Sequence, residues 1–138
     1  MASIKEINNS AYSEYFLYQD KYSKIYGKLT IFLTQCGMFF EAYENLDEGY
    51  DLQILSNIMN ITVTKKDKSI PVSNKNPYML GFPCIVSQKH IKTLIDNGYT
   101  VVIQEQVSPA PKPRREITGI YSPSTFISEI SNQILILC

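Results

Sequence analysis

The sequence predicts an α/β (α+β) fold, with a single mixed β-sheet flanked by helices. Three observations predict it. Short β-branched or alternating runs are interleaved with segments whose apolar residues recur every three or four positions. Glycine and proline fall between these runs, where chain reversals are needed. The length of 138 residues, 44% of them hydrophobic, suits one domain with a real core.

The elements follow in order. Residues 1–12 read as a polar leader. A helix begins near Ser13, placing Tyr15, Tyr18, Tyr22 and Ile25 on one face, with Gly27 as its stop. Residues 29–35 alternate through Leu29, Ile31 and Leu33 as a strand, and FFEAY at 39–43 forms a second strand after a turn at Gly37. Helical spacing returns over 46–58 through Leu46, Tyr50, Leu52, Leu55 and Ile58, with acids near its start. ITVTK at 61–65 reads as a strand, followed by a lysine-rich polar loop and a short strand over 78–83. Ser87 is the expected N-cap of a helix running to about Asn97, with Ile91, Leu94 and Ile95 buried and Gly98 as its stop. Strands are expected over 99–107 and 115–121, separated by the proline-punctuated loop SPAPKP. The domain proper is thus 13–123, and 124–138 form a linker and the apolar opening strand of a further, truncated domain.

Composition narrows the function. Net charge is zero, which argues against strong non-specific nucleic-acid binding by this piece alone but leaves room for local contact. Cys36, Cys84, Cys138 and the lone His90 lack metal-ligand spacing, so reduced, mostly buried thiols are expected and no metal. No run is long and apolar enough to span a bilayer, the N-terminus lacks a signal-peptide core, and no phosphate-binding G-x-x-x-x-G-K-[ST] loop occurs.

Four pieces in a fixed order carry more information: GMFFE at 37–41, LGFP at 80–83, GYTVVIQEQV at 98–107 and PRREITGIYSPST at 113–125. Together they resemble the N-terminal mismatch-recognition domain of the MutS family of DNA repair proteins. The resemblance covers about residues 13–126, and the tail matches the start of that family's connector domain. Met38 stands where the family has Asp, Phe40 where it has Tyr, Gln104 where it has Cys, and Pro83-Cys84-Ile85 where it has Pro-Tyr-His. These departures point to a divergent branch, organellar or viral.

The resemblance implies a role in recognising double-stranded DNA with mismatches or small loops, with Phe39 and Glu41 as the family's Phe-x-Glu pair. Phe39 is then the wedge inserted from the minor groove, where unstacking is easier at a mismatch than at a paired step. Glu41 is its polar partner, hydrogen-bonding the displaced base and carrying or sharing a proton when it meets an acceptor nitrogen. Its charge also disfavours tight contact with a perfect duplex. Alternate strand residues share a side, so a site exposing both is expected. Lys65, Lys66, Lys68 and Lys75 are candidates for phosphate contacts that set register, with Lys112, Arg114 and Arg115 as weaker ones.

The resemblance further implies a non-enzymatic fragment of a longer ATPase of the ABC type. ATP and Mg²⁺ would bind in the other domains, the parent would be dimeric, and its place would be the cytoplasm or nucleoid, or an organelle or host cytoplasm. Two alternatives stand beside it. Asp67 and Glu105 at strand ends suit a metal-dependent nuclease, although the usual Glu-x-Lys is missing because Val107 stands two places after Glu105. The other is a protein-interaction domain without DNA contact. Glu105 and Gln106 otherwise read as structural hydrogen-bonding groups, and Gly81 and Pro83 as a plain turn.

Overall fold

The computed structural model describes residues 10–109 and 111–123, and the expected tail strand over 124–138 lies outside them. Among the described residues, six strands form one mixed sheet in the order β3-β4-β2-β1-β5-β6. The strands are β1 (Thr30–Cys36), β2 (Phe39–Glu44), β3 (Thr64–Lys65), β4 (Tyr78–Pro83), β5 (Thr100–Gln106) and β6 (Arg115–Tyr121). The helices are α1 (Ser10–Tyr26), α2 (Leu52–Met59) and α3 (Ser87–Asp96). Among the described strands only β1 and β5 run parallel, and the other neighbouring pairs are antiparallel. None of the described helices is long and apolar enough to cross a membrane.

Helix α1 covers one face of the sheet. Its tyrosines carry the packing: Tyr18 and Tyr22 stack on Phe32, and Tyr12 and Tyr15 meet Tyr43 edge-on. The helix begins at Ser10, so the last part of the expected leader is helical. Ile25, expected on the buried face, is exposed, because the helix ends at Tyr26 just before β1 starts beneath it. The opposite face is covered by α2 and α3. There Leu52, Leu55, Leu94 and Ile95 are buried, and Phe82 lies between Phe40 and His90.

Strand β1 pairs with β2 only from Thr34↔Glu41 to Cys36↔Phe39. Farther from the hairpin the two strands part, and the backbone of β1 bonds to α1 instead. Gln19 donates from Nε2 to the Thr30 carbonyl at 2.9 Å and accepts the Phe32 N–H at 2.8 Å. Tyr15 donates its hydroxyl to the Phe32 carbonyl at 2.9 Å. A buried backbone group without a partner is costly, so these side chains stand in for the missing strand.

Four local expectations need correction. Helix α2 starts at Leu52 rather than near Leu46, which is exposed. Asn45 turns the chain first, accepting the Asp47 and Glu48 N–H groups, and Asp51 then caps the helix through the Gln53 N–H. The strand expected over 61–65 reduces to Thr64–Lys65, because the Ile61 N–H returns to the end of α2 at the Ser56 carbonyl. Ser87 is the first residue of α3 and not its N-cap, since a 3₁₀ turn over Cys84–Val86 already leads into the helix. Leu29 lies outside β1 and is exposed, while Thr30 to Thr34 are buried on both faces.

His90 packs against the Phe82 ring with centroids 4.6 Å apart. Burial, followed by the charge of Lys89, lowers its pKa. The unfolded chain therefore binds the proton more readily, so this contribution is complete above the ordinary histidine range and declines as the pH falls through it. We expect urea unfolding midpoints to drop between about pH 7 and about pH 5, and the drop to be smaller in His90→Gln.

Candidate nucleic-acid interface

The hairpin between β1 and β2 is sharp. Gly37 adopts φ of 61°, in the left-handed region, and no neighbour crowds it, so the demand on this residue is conformational. Met38 follows at the tip and is 81% exposed. Its carbonyl accepts the Cys84 N–H at 2.8 Å, which ties the tip to the turn after β4. Phe39 opens β2, pairs with Cys36 on one side and Pro83 on the other, and is 46% exposed. A phenylalanine inside a six-stranded sheet is normally core; here its backbone is fixed on both sides while half its surface faces solvent.

Glu41 shares that face but is only 9% exposed, against the expectation that both side chains stand open. The reason is its register. It lies one alternation inward, opposite Thr34 on β1 and Gly81 on β4. A Cβ at Gly81 would sit 3.0 Å from the Phe40 carbonyl and 3.3 Å from the Glu41 side chain. Gly81 and Pro83 are thus strand residues that flank the Phe-x-Glu segment, not a plain turn.

The carboxylate is neutralised locally. Lys66 Nζ lies 3.3 Å from Glu41 Oε1, and the Tyr43 hydroxyl donates to the same oxygen. Cys36 Sγ is 3.4 Å from the Tyr43 hydroxyl, and Lys66 Nζ is 5.7 Å from the Tyr43 ring centroid. Burial, then hydrogen bonding with Cys36 and Glu41, pushes the Tyr43 pKa far up, so this hydroxyl keeps its proton. Next to the cluster lies a pocket lined by Tyr12, Glu14, Tyr15, Thr34, Cys36, Tyr43, Gln104 and Arg115.

The lysine-rich loop between β3 and β4 is built around Asn76, which is 1% exposed. Its Nδ2 donates to the carbonyls of Asp67, Ile70 and Pro71, and its Oδ1 accepts the Asp67 N–H at 2.7 Å. The loop places the four candidate lysines differently. Lys66 turns to Glu41, Lys65 donates to the Ile70 carbonyl, and Lys68 and Lys75 are exposed. Among the weaker candidates, Arg115 donates to the Gln35 carbonyl, Arg114 pairs with Glu116, and Lys112 is exposed.

Other candidates are not brought together. Asp67 follows β3 and Glu105 lies on β5, with β4, β2 and β1 between them. Among the described residues no three His, Cys, Asp or Glu side chains are grouped to hold a metal. Glu105 accepts the Thr118 hydroxyl at 2.5 Å, a structural bond across β5 and β6, as expected. Cys36 and Cys84 are half-buried and free of disulfides. Sequence reasoning missed Tyr43 and Asn76. Alternation put Tyr43 on the Glu41 face, and the Asn76-Pro77 pair was a turn signal.

The family described as MutS domain I matches residues 17–130. A DNA mismatch repair protein MutS homologue of Acanthamoeba polyphaga mimivirus is 37% identical over 125 residues, covering 88% of this chain and 11% of that protein. The DNA mismatch repair protein MutS of Thermosipho melanesiensis is 31% identical over 106 residues, covering 74% and 11%. Its namesake from Staphylococcus aureus is 32% identical over 100 residues, covering 68% and 11%. The chain therefore spans about a tenth of the length of these relatives.

The loop architecture makes a stability prediction. Asn76→Ala removes a buried amide and strands the Asp67 N–H and three carbonyls. Unfolding in urea should show a loss of about 2–4 kcal/mol, and Lys68→Ala, on the exposed rim of the same loop, should lie within about 0.5 kcal/mol of the parent.

Proposed function

The chain belongs to the MutS family, as its domain I, and from that premise we propose that it recognises mismatched or unpaired DNA in mismatch repair. The observation that carries this reading is the half-exposed Phe39 ring on a backbone held from both sides, with Glu41 one alternation inward. An apolar ring entering the minor groove unstacks a base step, which costs a few kcal/mol at a paired step and less at a mismatched one. The difference is the discrimination, and no base sequence has to be read. Rigidity matters, because a ring that could fold away would lose the contrast.

Affinity comes from elsewhere. Net charge is zero, so phosphate contacts by Lys65, Lys66, Lys68 and Lys75 set register rather than supply the bulk of binding. Lys68 and Lys75 carry exposed ammonium groups, whereas Lys65 and Lys66 would have to exchange their present partners for phosphate. The domain works within a longer, dimeric chain whose other domains bind ATP and Mg²⁺ and grip the duplex. That places it wherever its cell, organelle or virus keeps its DNA.

Phe39→Ala in the full-length protein tests the reading. Because the ring is half-exposed, the fold should survive. The preference for a duplex with a single mismatch or unpaired nucleotide over matched duplex should fall by roughly tenfold or more, measured by equilibrium binding at fixed salt. An unchanged preference would remove the wedge and favour a domain that binds protein instead.

A further inference from the structure

Three methionines fall among the described residues, and their surroundings differ. Met59, at the end of α2, is buried, and Met79 is a half-buried residue of β4 between Tyr43 and Thr64. Met38 stands at the hairpin tip with 81% of its surface exposed. Its main chain is nevertheless fixed. Gly37 before it makes the left-handed turn, Phe39 after it opens β2 between two strands, and its own carbonyl accepts the Cys84 N–H at 2.8 Å. That bond brings the turn over Cys84–Val86 beside the tip, and there Ile85 is 93% exposed. Neither 36–40 nor 79–87 contains a charged residue. Met38, Phe39 and Ile85 thus present an apolar end of the sheet to solvent, with the thioether next in the chain to the Phe39 ring.

We propose that Met38 is a reversible oxidation site that controls how well the tip enters a mismatched duplex. The oxidant is a peroxide. The sulfur lone pair attacks one peroxide oxygen, and an S–O bond forms as the O–O bond breaks. The other oxygen takes up a proton and leaves as water or an alcohol. Sulfur loses two electrons and the peroxide gains them. The product, methionine sulfoxide, replaces an apolar thioether with a polar group. That group must shed its water when the tip closes on the groove, and apolar neighbours return no hydrogen bond. Oxidation therefore weakens binding to the duplex that the ring enters and spares binding to matched duplex. This inference rests on the reading of Phe39 as the wedge and adds redox control to it. Thiols are the competing targets. Cys36 and Cys84 are half-buried, and burial, then the charge of Glu105, raises the Cys84 pKa, so less of it is the reactive thiolate.

The test treats the full-length protein with hydrogen peroxide and then with dithiothreitol, which returns disulfides and sulfenic acids to thiols and leaves sulfoxides in place. Peptides are read by mass spectrometry, and binding is measured to matched duplex and to duplex with one unpaired nucleotide. Among Met38, Met59 and Met79, Met38 should oxidise first. The preference for the unpaired nucleotide should fall by roughly fivefold or more, the scale set by one polar group buried without a partner. The slope of log affinity against log salt should stay constant, because no phosphate contact is lost. Methionine sulfoxide reductases A and B together should restore the preference. Met38→Leu should hold its own starting preference through the same treatment, and Met38→Gln, with a permanently polar tip, should start low and fall no further.

Oxidation of Met59 or Met79 ahead of Met38 overturns the proposal. So does an equal loss in Met38→Leu, or a fully oxidised Met38 with preference unchanged. Untreated Phe39→Ala separates the two claims. Loss of its preference upholds the wedge and leaves the peroxide comparison to decide the role of Met38. Retained preference overturns the wedge and this inference with it.

Discussion

A carboxylate on the inner face of a β-sheet has to be compensated where it stands, since removing an ion from water carries a penalty of several kcal/mol. Much of the structure around the hairpin meets that constraint. Gly81 leaves room for the Glu41 side chain on the neighbouring strand. Tyr43, on the same face, donates a hydrogen bond to it, and its own hydroxyl is steadied by Cys36. Lys66 brings the counter-charge from the loop, and that loop keeps its shape through Asn76. A neutral strand residue at position 41 would need none of this.

The same arrangement gives Phe39 its seat. Residues at the end of a hairpin are usually among the looser parts of a sheet. Here β2 is flanked by β1 and β4, the Met38 carbonyl is tied to the turn at Cys84, and the ring begins a strand that Glu41 anchors one alternation further in. Where β1 and β2 part, Gln19 and Tyr15 take over the backbone bonds, so helix α1 holds the sheet open without weakening it. The division of labour is physical: an apolar group that can leave water at small cost stands outside, and the charged group that cannot is wrapped.

The fold class was legible because periodicity survives in most elements. The strands at 39–43, 78–83, 99–107 and 115–121 and the buried face of α3 follow from residue type and spacing alone. What failed was local competition. Leu46 fits a helical repeat, but Asn45 satisfies the backbone first and delays the helix to Leu52. Ser87 has the chemistry of a cap, but the turn before it was already helical. At the site, ordered motifs singled out Phe39 and Glu41 as candidates, while the burial of Glu41 was not legible. A strand pattern shows which side a residue faces but not how far across the sheet its cover extends. Lys66 read as a phosphate-contact candidate, and its pairing with Glu41 was not legible because the two are 25 residues apart in sequence, a separation that no local pattern records.

The central claim is that a fixed Phe39 ring, with Glu41 one alternation inward, probes the duplex. A structure of the full-length protein on a duplex with one unpaired thymidine tests it most directly. The account predicts the Phe39 ring stacked at the unpaired step from the minor groove, with Glu41 facing the displaced base. A Phe39 ring packed against protein or lying outside the duplex, with Glu41 turned away from the base, would contradict it.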